Sequence, residues 1–352
     1  MRVAVYPADL GGCGHHRMIW PARTLQAQGA DVRLVMPADH DQIQSWWMDG
    51  DDGPKVLDVM VPDADVVVIQ RPLQNTLVAA IPIMQAKGVK VVVEIDDDFE
   101  AIHPQNIAWH TVHPKFSPSR NWHHLLHACQ LADLVTVTTP ALAARYGRHG
   151  RVAVVPNMIP ERYLDITREP HFDVWCGWSG SVETHPTDLQ AARGGIATAV
   201  RDAGARFAVI GTGRGVQRAL GLAEAPHAAG WRAIDEYPEA LAQLDVGVVP
   251  LDLIPFNAAK SWLKGLEMAA VGVPFVASPT APYVELEAAG AGIVANRSKD
   301  WARELRHLLT SADARAHFAG QGRSCAKRMT IEGNCEQWWD AWCSSVNAMS
   351  AV

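Results

Sequence analysis

Two lysines and a glutamate spaced along one predicted helix are the strongest candidates for chemistry in this chain. Lys260, Lys264 and Glu267 stand at i, i+4 and i+7, so a helix would place all three on one face. Ammonium groups can take up the charge of a departing diphosphate, and a carboxylate can accept hydrogen bonds from a ribose diol. The pattern therefore predicts a nucleotide-diphosphate site. A solvated, salt-bridged helix face is the alternative.

The residues that follow this face favour the binding site. Gly272 ends the predicted helix, and residues 273–278 predict a buried strand immediately after it. A helix that leads directly into a strand is typical of an open α/β sheet, in which ligands bind beyond the carboxyl ends of the strands.

The same segment resembles the donor-binding helix of retaining glycosyltransferases of the GT-B fold, in the group 1 or family 4 class. Those enzymes usually carry two glutamates separated by seven residues and a helix end of the form A-x-G-x-P-V-V-A. The matching residues are Glu267 for the second glutamate and Gly272, Pro274, Val276 and Ala277 for the helix end. The resemblance implies that this segment binds a nucleotide sugar.

The first family glutamate is absent from this chain. Its position is Ala259, followed by Lys260 and Ser261. In the family that carboxylate contacts the transferred sugar, so the sugar stays unidentified. The resemblance implies donor-binding roles for Ser261 and Glu267 and catalytic roles for Lys260 and Lys264, which would stabilise the departing diphosphate.

Strands and helices are predicted to alternate in two successive sets, which is typical of parallel sheets covered on both faces. The first set comprises six apolar runs before residue 158, and the second begins at residue 173. Residues 158–172 between them are rich in proline and charge, so the domain boundary is expected there. The predicted fold class is α/β, with two Rossmann-like domains facing a cleft.

The predicted domains are an N-terminal acceptor domain over 1–160 and a nucleotide-sugar domain over 161–330. Residues 331–352 predict a final helix, in which Trp338, Trp339 and Trp342 suit packing against a large surface. By the resemblance to GT-B enzymes, this helix is expected to pack back on the N-terminal domain.

The second domain opens with a predicted phosphate loop. Ser179 and Gly180 are expected to follow a strand and precede a helix, where hydroxyl and amide groups can meet a phosphate. Thr184–Asp188 predicts an N-cap for a helix that begins at Pro186, and His185 either caps the helix or contacts the ligand. The resemblance implies donor binding by this loop and by a glycine-rich strand end further along, and the residues assigned are Ser179, Gly180, His185, Gly211 and Gly213.

A glycine-rich turn lies between the first predicted strand and helix. Gly12 and Gly14 would let backbone N–H groups approach a ligand, although a tight strand-to-helix turn explains them equally well. The resemblance implies that this turn borders the acceptor, together with Arg17 and with His15 or His16.

Three adjacent carboxylates, Asp96 to Asp98, follow the fourth predicted strand. Asp96 and Asp98 spell the D-x-D metal signature of the other glycosyltransferase fold, but the sequence favours a solvated turn, and no metal site is predicted. Asp96 stands where the family carries a histidine that reaches the transferred sugar, so it is assigned a catalytic role. Asp97 is assigned to the acceptor side.

Histidines are concentrated between residues 103 and 127. His123 and His127 have the spacing of a zinc pair, but no H-E-x-x-H pattern accompanies them, and ordinary histidines are expected. Trp109 and His110 predict an acceptor loop with an apolar plate for a sugar or a base.

The composition suits two ordinary cores in a chain of 352 residues, of which 48% are hydrophobic and 20% charged. The net charge of −7 gives no general attraction to nucleic acid or anionic lipid. Six cysteines without a C-x-x-C pair indicate reduced thiols. With neither a membrane span nor a signal peptide in the sequence, we expect a cytoplasmic protein.

The sequence predicts a retaining, metal-independent hexosyltransferase that uses a nucleotide-diphosphate sugar as co-substrate, UDP- or GDP-linked, and no cofactor. The acceptor is unidentified: a glycan, a lipid, a protein or a modified DNA base. Two alternatives stay open, a nucleotide-sugar 2-epimerase and a non-catalytic nucleotide-sugar-binding protein.

Overall fold

The chain divides into two compact units. The structure, a computed structural model, describes residues 1–39, 42–50, 53–60, 63–169 and 171–347. Unit 1 contains residues 1–104, 108–157 and 334–352, and unit 2 contains residues 105–107 and 158–333. Pro170 of the predicted linker and residues 348–352 of the predicted final helix lie outside the described residues.

Unit 1 is built on a parallel sheet whose central strands are buried runs rich in valine, as expected for a sheet that is covered on both faces. Within the described residues the sheet has six strands, in the order β2-β1-β5-β6-β7-β8, and β3 pairs with β4 in a separate antiparallel hairpin. The strands are β1 (Val3–Tyr6), β2 (Val32–Leu34), β3 (Gln44–Gly50), β4 (Gly53–Met60), β5 (Val66–Gln70), β6 (Lys90–Ile95), β7 (Leu134–Val137) and β8 (Val152–Val154).

The helices of unit 1 connect the parallel strands. They are α1 (Gly12–Gly14), α2 (Trp20–Ala27), α3 (Asn75–Ala86), α4 (Trp109–Val112), α5 (Trp122–Leu131) and α6 (Pro140–Tyr146), and a π-helical turn (His15–Ile19) joins α1 to α2. The prediction that Gly12 and Gly14 form a loop ahead of the first helix is wrong, because the helix already begins at Gly12.

Unit 2 repeats the architecture. Among its described residues, six strands pair in the order β11-β10-β9-β12-β13-β14, all parallel. Because β9 lies between β10 and β12, the chain leaves it in one direction and later returns on the other side, and ligands bind beside such a strand. The strands are β9 (Trp175–Ser181), β10 (Arg206–Thr212), β11 (His227–Gly230), β12 (Val246–Val249), β13 (Phe275–Ala277) and β14 (Ile293–Val294).

Helices follow most of these strands. They are α7 (Gly195–Ala203), α8 (Val216–Leu220), α9 (Tyr237–Ala242), α10 (Pro255–Ala258), α11 (Leu263–Ala270), α12 (Ala281–Ala288), α13 (Ser298–Thr310) and α14 (Ala312–Ala326), with 3₁₀ turns over Glu161–Asp165 and Asp188–Ala192.

The last helix, α15 (Glu336–Asn347), belongs to unit 1. Trp338 and Trp342 are fully buried in it. The indole Nε1 of Trp338 donates to the carbonyl oxygen of Arg17 at 3.1 Å, and the guanidinium of Arg17 lies 5.4 Å from the centre of the Trp338 ring. These contacts fix α15 on the helix that follows β1.

The predicted α/β class is confirmed, and the six strands predicted before residue 158 and the five predicted from residue 173 onward are all present. The sequence prediction missed β3, β4 and β11. Among the residues that the structure describes, no helix is both long and apolar enough to cross a membrane.

Candidate donor-binding site

Lys264 is held at the carboxyl end of β9. Its Nζ donates to the carbonyl oxygen of Ser179 at 2.9 Å and lies 3.4 Å from Nε2 of His185. The ammonium group is also 5.7 Å from the centre of the Trp178 ring, within range of a cation–π interaction. A helix and a strand of unit 2 thus fix one cation at the edge of the sheet where ligands bind.

A buried carboxylate orients His185. Nδ1 of His185 lies 2.6 Å from Oδ2 of Asp188. The other oxygen of Asp188, Oδ1, accepts from the backbone N–H of Asp252 at 3.0 Å and from Nδ2 of Asn257 at 2.5 Å. Because an ionised carboxylate only accepts, Nδ1 of His185 carries the proton, and its Nε2 lone pair faces Lys264.

The charge state of His185 follows from these surroundings. Burial and the positive charge of Lys264 lower the pKa of His185 to about 4, so the imidazole is neutral at pH 7. Burial opposes ionisation of Asp188, but hydrogen bonds from His185, Asp252 and Asn257 bring the pKa of its carboxyl below the usual value. The result is a neutral acceptor beside Lys264 and a fixed negative charge behind it.

Glu267 lies on α11, three residues after Lys264, and is 5% exposed. Tyr237 lies close enough that its pKa is raised far above the usual value, first by burial and then by the charge of Glu267. The hydroxyl of Tyr237 lies 2.8 Å from Oγ of Ser179. Lys264 thus binds the carbonyl oxygen of Ser179, and Tyr237 binds the hydroxyl of the same residue. Together they fix the carboxyl end of β9.

Glycines bring the ends of β9 and β10 close together. Gly211 has a φ of +127°, and a Cβ added there would lie 2.3 Å from the carbonyl oxygen of Gly180. A Cβ on Gly180 would lie 2.8 Å from the Trp178 ring, and one on Gly213 would lie 2.9 Å from Cβ of Ala228. These positions need glycine because no side chain fits, and Gly211 and Gly213 lie at the end of β10, as predicted.

The prediction of one helix carrying Lys260, Lys264 and Glu267 is wrong for Lys260. That residue lies between α10 and α11, and its Nζ is 4.3 Å from the centre of the Phe256 ring. Before the break, the side chain of Asn257 in α10 is bonded to Asp188 and to the carbonyl oxygen of Asp252. The hydroxyl of Ser261 then accepts from the N–H of Leu263 at 3.4 Å, where α11 begins.

Two local predictions around residue 180 also need correction. Ser179 and Gly180 lie inside β9 and do not follow it. No helix begins at Pro186: the 3₁₀ turn starts at Asp188, and the hydroxyl of Thr184 donates to the carbonyl oxygen of Ser181 at 3.2 Å. Thr184 therefore stabilises the turn after β9, and His185 and Asp188 are available for the contacts described above.

Unit 1 holds a second polar cluster at the carboxyl ends of β5 and β6. Nε of Arg71 donates to Oδ1 of Asp96 at 2.5 Å, its Nη2 bonds to Oδ2, and its Nη1 donates to Asp9 at 3.0 Å. Burial opposes the charge on Asp96, but the Arg71 guanidinium outweighs it and lowers the pKa of that carboxyl. Arg71 has a φ of +49°, which is unusual outside glycine.

The predicted solvated turn over residues 96–98 is wrong. Asp96 is 8% and Asp98 is 4% exposed, and Nε of Arg145 donates to Asp98 at 3.1 Å. Asp97 is the more accessible of the three. Arginines thus offset the mutual repulsion of these carboxylates, and Asp96 is held by both of its oxygens. Among the described residues, no group of three or more His, Cys, Asp or Glu side chains is placed to hold a metal ion.

Arg17 was predicted to border the acceptor, and this is wrong because its side chain is buried. Nε of Arg17 donates to Oε1 of Glu94 at 2.7 Å, and Nη1 donates to the carbonyl oxygen of Val155 at 2.7 Å and to Asn157 at 3.1 Å. Thr136 also donates to Glu94. Arg17 therefore ties β6, the segment after β8 and α15 together within unit 1.

The remaining acceptor-side residues lie in unit 1. Nδ1 of His15 lies 2.9 Å from the carbonyl oxygen of Gly11. A Cβ on Gly14 would lie 1.9 Å from the carbonyl oxygen of Asp9, whereas Gly12 has no neighbouring atom within 4 Å of that position. Gly14 is therefore required for packing, and Gly12 is open.

Trp109 and His110 belong to an aromatic cluster. The Trp109 ring lies 5.1 Å from His110, 4.3 Å from His113 and 5.3 Å from Phe116, measured between ring centres. The side chains stabilise one another and so hold α4 in place. Their role toward an acceptor stays a prediction.

Three residues of these clusters were missed by the sequence prediction: Arg71, Tyr237 and Asn257. Each contacts a partner at least 25 residues away in the chain, so no local pattern indicates them. The sequence assigns His185 to donor binding and Asp188 to a helix cap, so it does not predict the contact between the two.

Residues 183–311 match the family model described as Glycosyl transferases group 1. A comparison with curated protein sequences found no significant match.

Two solved structures with the same fold align over almost the entire length of this chain. Sucrose-phosphate synthase from Thermosynechococcus elongatus is 14% identical, with 99% of this chain and 100% of that one aligned and a TM-score of 0.64. HepE of Anabaena, in complex with UDP and glucose, is 13% identical over 100% of both chains, with a TM-score of 0.61.

A TarM mutant of S. aureus in complex with fondaparinux, alpha-GlcNAc-glycerol and UDP is 13% identical, with a TM-score of 0.54. The alignment covers 79% of this chain and 55% of the TarM chain, so this chain spans about half the length of TarM. These structures share the GT-B fold, as the sequence predicted. The match over residues 183–311 confirms the predicted resemblance to the group 1 glycosyl transferases and the prediction of a glycosyltransferase enzyme.

Proposed function

We propose that the chain is a retaining glycosyltransferase that moves a hexose from a UDP- or GDP-linked donor to an acceptor. The observation that carries the proposal is the position of Lys264, whose ammonium group is fixed at the end of β9 by Ser179 and His185. Glu267, one turn further along α11, supplies a carboxylate suited to a ribose diol. HepE and TarM in complexes with UDP support a uridine nucleotide.

In the proposed reaction Lys264 stabilises the negative charge that develops on the departing diphosphate. His185 is neutral and accepts at Nε2, so it orients the ammonium group of Lys264. An anion in its place would compete with the phosphate for that ammonium group. The positive charge required comes from lysine, and the reaction as proposed uses no metal ion or other cofactor.

The retaining outcome follows if the acceptor attacks on the face from which the diphosphate leaves. Asp96 is bonded through both oxygens to Arg71, which makes it a poor nucleophile for a covalent intermediate. Positioning and leaving-group stabilisation then supply most of the rate enhancement. Product anomers identified by NMR test the stereochemistry.

Calorimetry with UDP, GDP, ADP and TDP tests donor binding directly. Lys264→Ala should weaken binding of the favoured nucleotide about 10- to 150-fold, because a charge-assisted hydrogen bond contributes about 1.5–3 kcal/mol. Lys264→Arg keeps the charge, and Lys299→Ala removes an exposed lysine on α13 as the matched control. Equal affinity in Lys264→Ala and the parent protein would remove Lys264 from the site.

Ala259 supports a second candidate, a nucleotide-sugar-binding protein without transfer activity. Its side chain is 4% exposed and stands where the family carries a carboxylate. Nucleotide-sugar binding without hydrolysis of the donor in a prolonged assay would favour this candidate. Slow donor hydrolysis by the parent protein, lost in Lys264→Ala, would favour the enzyme.

A further inference from the structure

A cavity of about 230 Å³ lies within unit 1, at the carboxyl ends of the paired strands β1 and β5. Among the described residues that line it there is no aspartate or glutamate. Apart from Tyr6, the polar side chains of the lining belong to arginines and glutamines, namely Arg71, Arg120, Gln42, Gln70 and Gln74. A polar cavity with cations and without carboxylates favours an anionic ligand.

Three of these polar side chains already have partners in the fold. Gln70 accepts from the N–H of Ala8 at 3.0 Å and donates to the carbonyl oxygen of Cys13 at 3.2 Å. Gln42 donates to the carbonyl oxygen of Met36 at 2.6 Å. Arg71 is neutralised by Asp9 and Asp96. They shape the cavity and do not supply its net charge.

Arg120 supplies that charge. It is exposed, and an antiparallel bridge pairs its backbone with that of Gln74, which is also exposed. Among the residues that the structure describes, no carboxylate lies within ion-pair distance of Arg120. A guanidinium and an amide on two such paired residues can together recognise a carboxylate or phosphate through hydrogen bonds.

The opposite part of the lining is apolar and includes Ile43, Leu73 and Leu77. The volume is below the ~300 Å³ at which sites for drug-sized ligands begin, so it suits a single ring with an apolar face. Arg71 connects the cavity to Asp96, the neighbour of Asp97 on the predicted acceptor side.

We propose that this cavity binds an anionic sugar ring of the acceptor, with its carboxylate or phosphate on Arg120 and Gln74 and its apolar face on Leu73 and Leu77. The inference rests on the proposed glycosyl transfer, whose acceptor it assigns to a chemical class. D-glucuronate and glucose 6-phosphate share the required chemistry and distinguish the two anions.

The test is calorimetry of the full chain with D-glucuronate, glucose 6-phosphate and glucose. We expect at least one of the anions to bind more tightly than glucose, and Arg120→Gln to weaken that binding about tenfold or more, since it removes a charge-assisted contact. Arg120→Lys should retain part of the affinity. Arg148→Gln is the control, because it removes an exposed arginine between α6 and β8, at the opposite edge of the sheet.

Equal binding of the anions by Arg120→Gln and the parent protein, or no preference for either anion over glucose, would overturn the inference. UDP and GDP are titrated into the same preparations. Nucleotide binding without anion binding would contradict only the proposal that the cavity binds an anionic sugar ring. Anion binding that depends on Arg120, without any nucleotide binding, supports the cavity and contradicts the proposed transfer.

Discussion

His185 and Asp188 are joined by a hydrogen bond of 2.6 Å between Nδ1 and Oδ2, and this bond decides what Lys264 meets. With the proton on Nδ1, the imidazole presents a lone pair to the ammonium group. With the proton on Nε2, it would present an N–H to a cation. Asp188 contacts no ligand in our proposal, but through His185 it controls the orientation of Lys264, which does contact the ligand.

Asp188→Asn should reverse this arrangement. Oδ1 of residue 188 accepts from Asp252 and Asn257, so an asparagine would place its oxygen there and its NH₂ toward His185. His185 would then carry its proton on Nε2 and oppose Lys264. We expect kcat/KM to fall at least about tenfold, measured by donor turnover, with Asp300→Asn on α13 as the control.

A double-mutant cycle separates this effect from a general loss of structure. In a His185→Gln background the tautomer no longer exists, so Asp188→Asn should cost clearly less than in the parent protein. We expect a coupling of about 1 kcal/mol or more, as for other residues in direct contact. Additive effects on kcat/KM would show that Asp188 acts independently of His185.

The stability of the protein should fall in mild acid because of His185. Burial and Lys264 depress its folded pKa to about 4, from an ordinary value of 6.5. Between these values the unfolded chain binds a proton that the folded chain does not, so the free energy of unfolding decreases as the pH falls from 6.5 to 4. This contribution amounts to about 2 kcal/mol between pH 7 and 5.

Denaturant unfolding of the parent protein and of His185→Asn at several pH values measures that contribution. The variant lacks the titrating group, so its stability should depend less steeply on pH over this range. Identical slopes for the two proteins would contradict the depressed pKa.

Most of the strands could be predicted from the sequence because they are short apolar runs, several of them, such as β5 and β6, buried and rich in valine. The hairpin of β3 and β4 was missed because Trp46, Trp47 and Met48 are all exposed, so the segment lacks the alternation of a half-buried strand. Lys264 and Glu267 were found because their helix and the strand after it form a local motif.

The other site residues depend on contacts between distant segments. Arg17 reaches Glu94 across 77 residues, and Arg71 reaches Asp96 across 25. An arginine followed by apolar residues gives no indication of which carboxylate it meets, or whether it is buried there. Lys260 was misplaced because the predicted continuous helix is divided into α10 and α11, and Lys260 lies between them.

Arg71→Ala should be strongly destabilising, because it leaves the Asp96 carboxylate buried and unpaired. Removing one partner of a buried ion pair typically costs about 3–5 kcal/mol. The double variant Arg71→Ala with Asp96→Ala should recover part of that loss, since no buried charge remains. Denaturant unfolding measures both, and Arg297→Ala, which removes an exposed arginine paired with Asp300, is the control. A double variant less stable than Arg71→Ala would contradict the pairing.

Gly211→Ala should destabilise the donor-binding edge of unit 2 through a steric clash. The φ of +127° disfavours any side chain, and the added Cβ would lie 2.3 Å from the carbonyl oxygen of Gly180. Gly204 is the matched control, since its φ of +63° is also positive but no atom lies within 4 Å of its Cβ position. Gly204→Ala should cost only the backbone penalty of about 1–2 kcal/mol, and Gly211→Ala an additional 1–3 kcal/mol or so.

The two variants also differ in where the strain falls. Gly180 follows Ser179, whose carbonyl oxygen binds Lys264, so the displacement caused by Gly211→Ala should weaken nucleotide binding. Gly204 ends α7, away from these contacts, and its variant should bind nucleotide normally. Unfolding curves give the stabilities and calorimetry gives the affinities. Equal losses of stability in the two variants would mean that β9 shifts to accommodate the new methyl group without cost. Unchanged nucleotide affinity in Gly211→Ala would mean that the displacement of Gly180 does not affect Lys264.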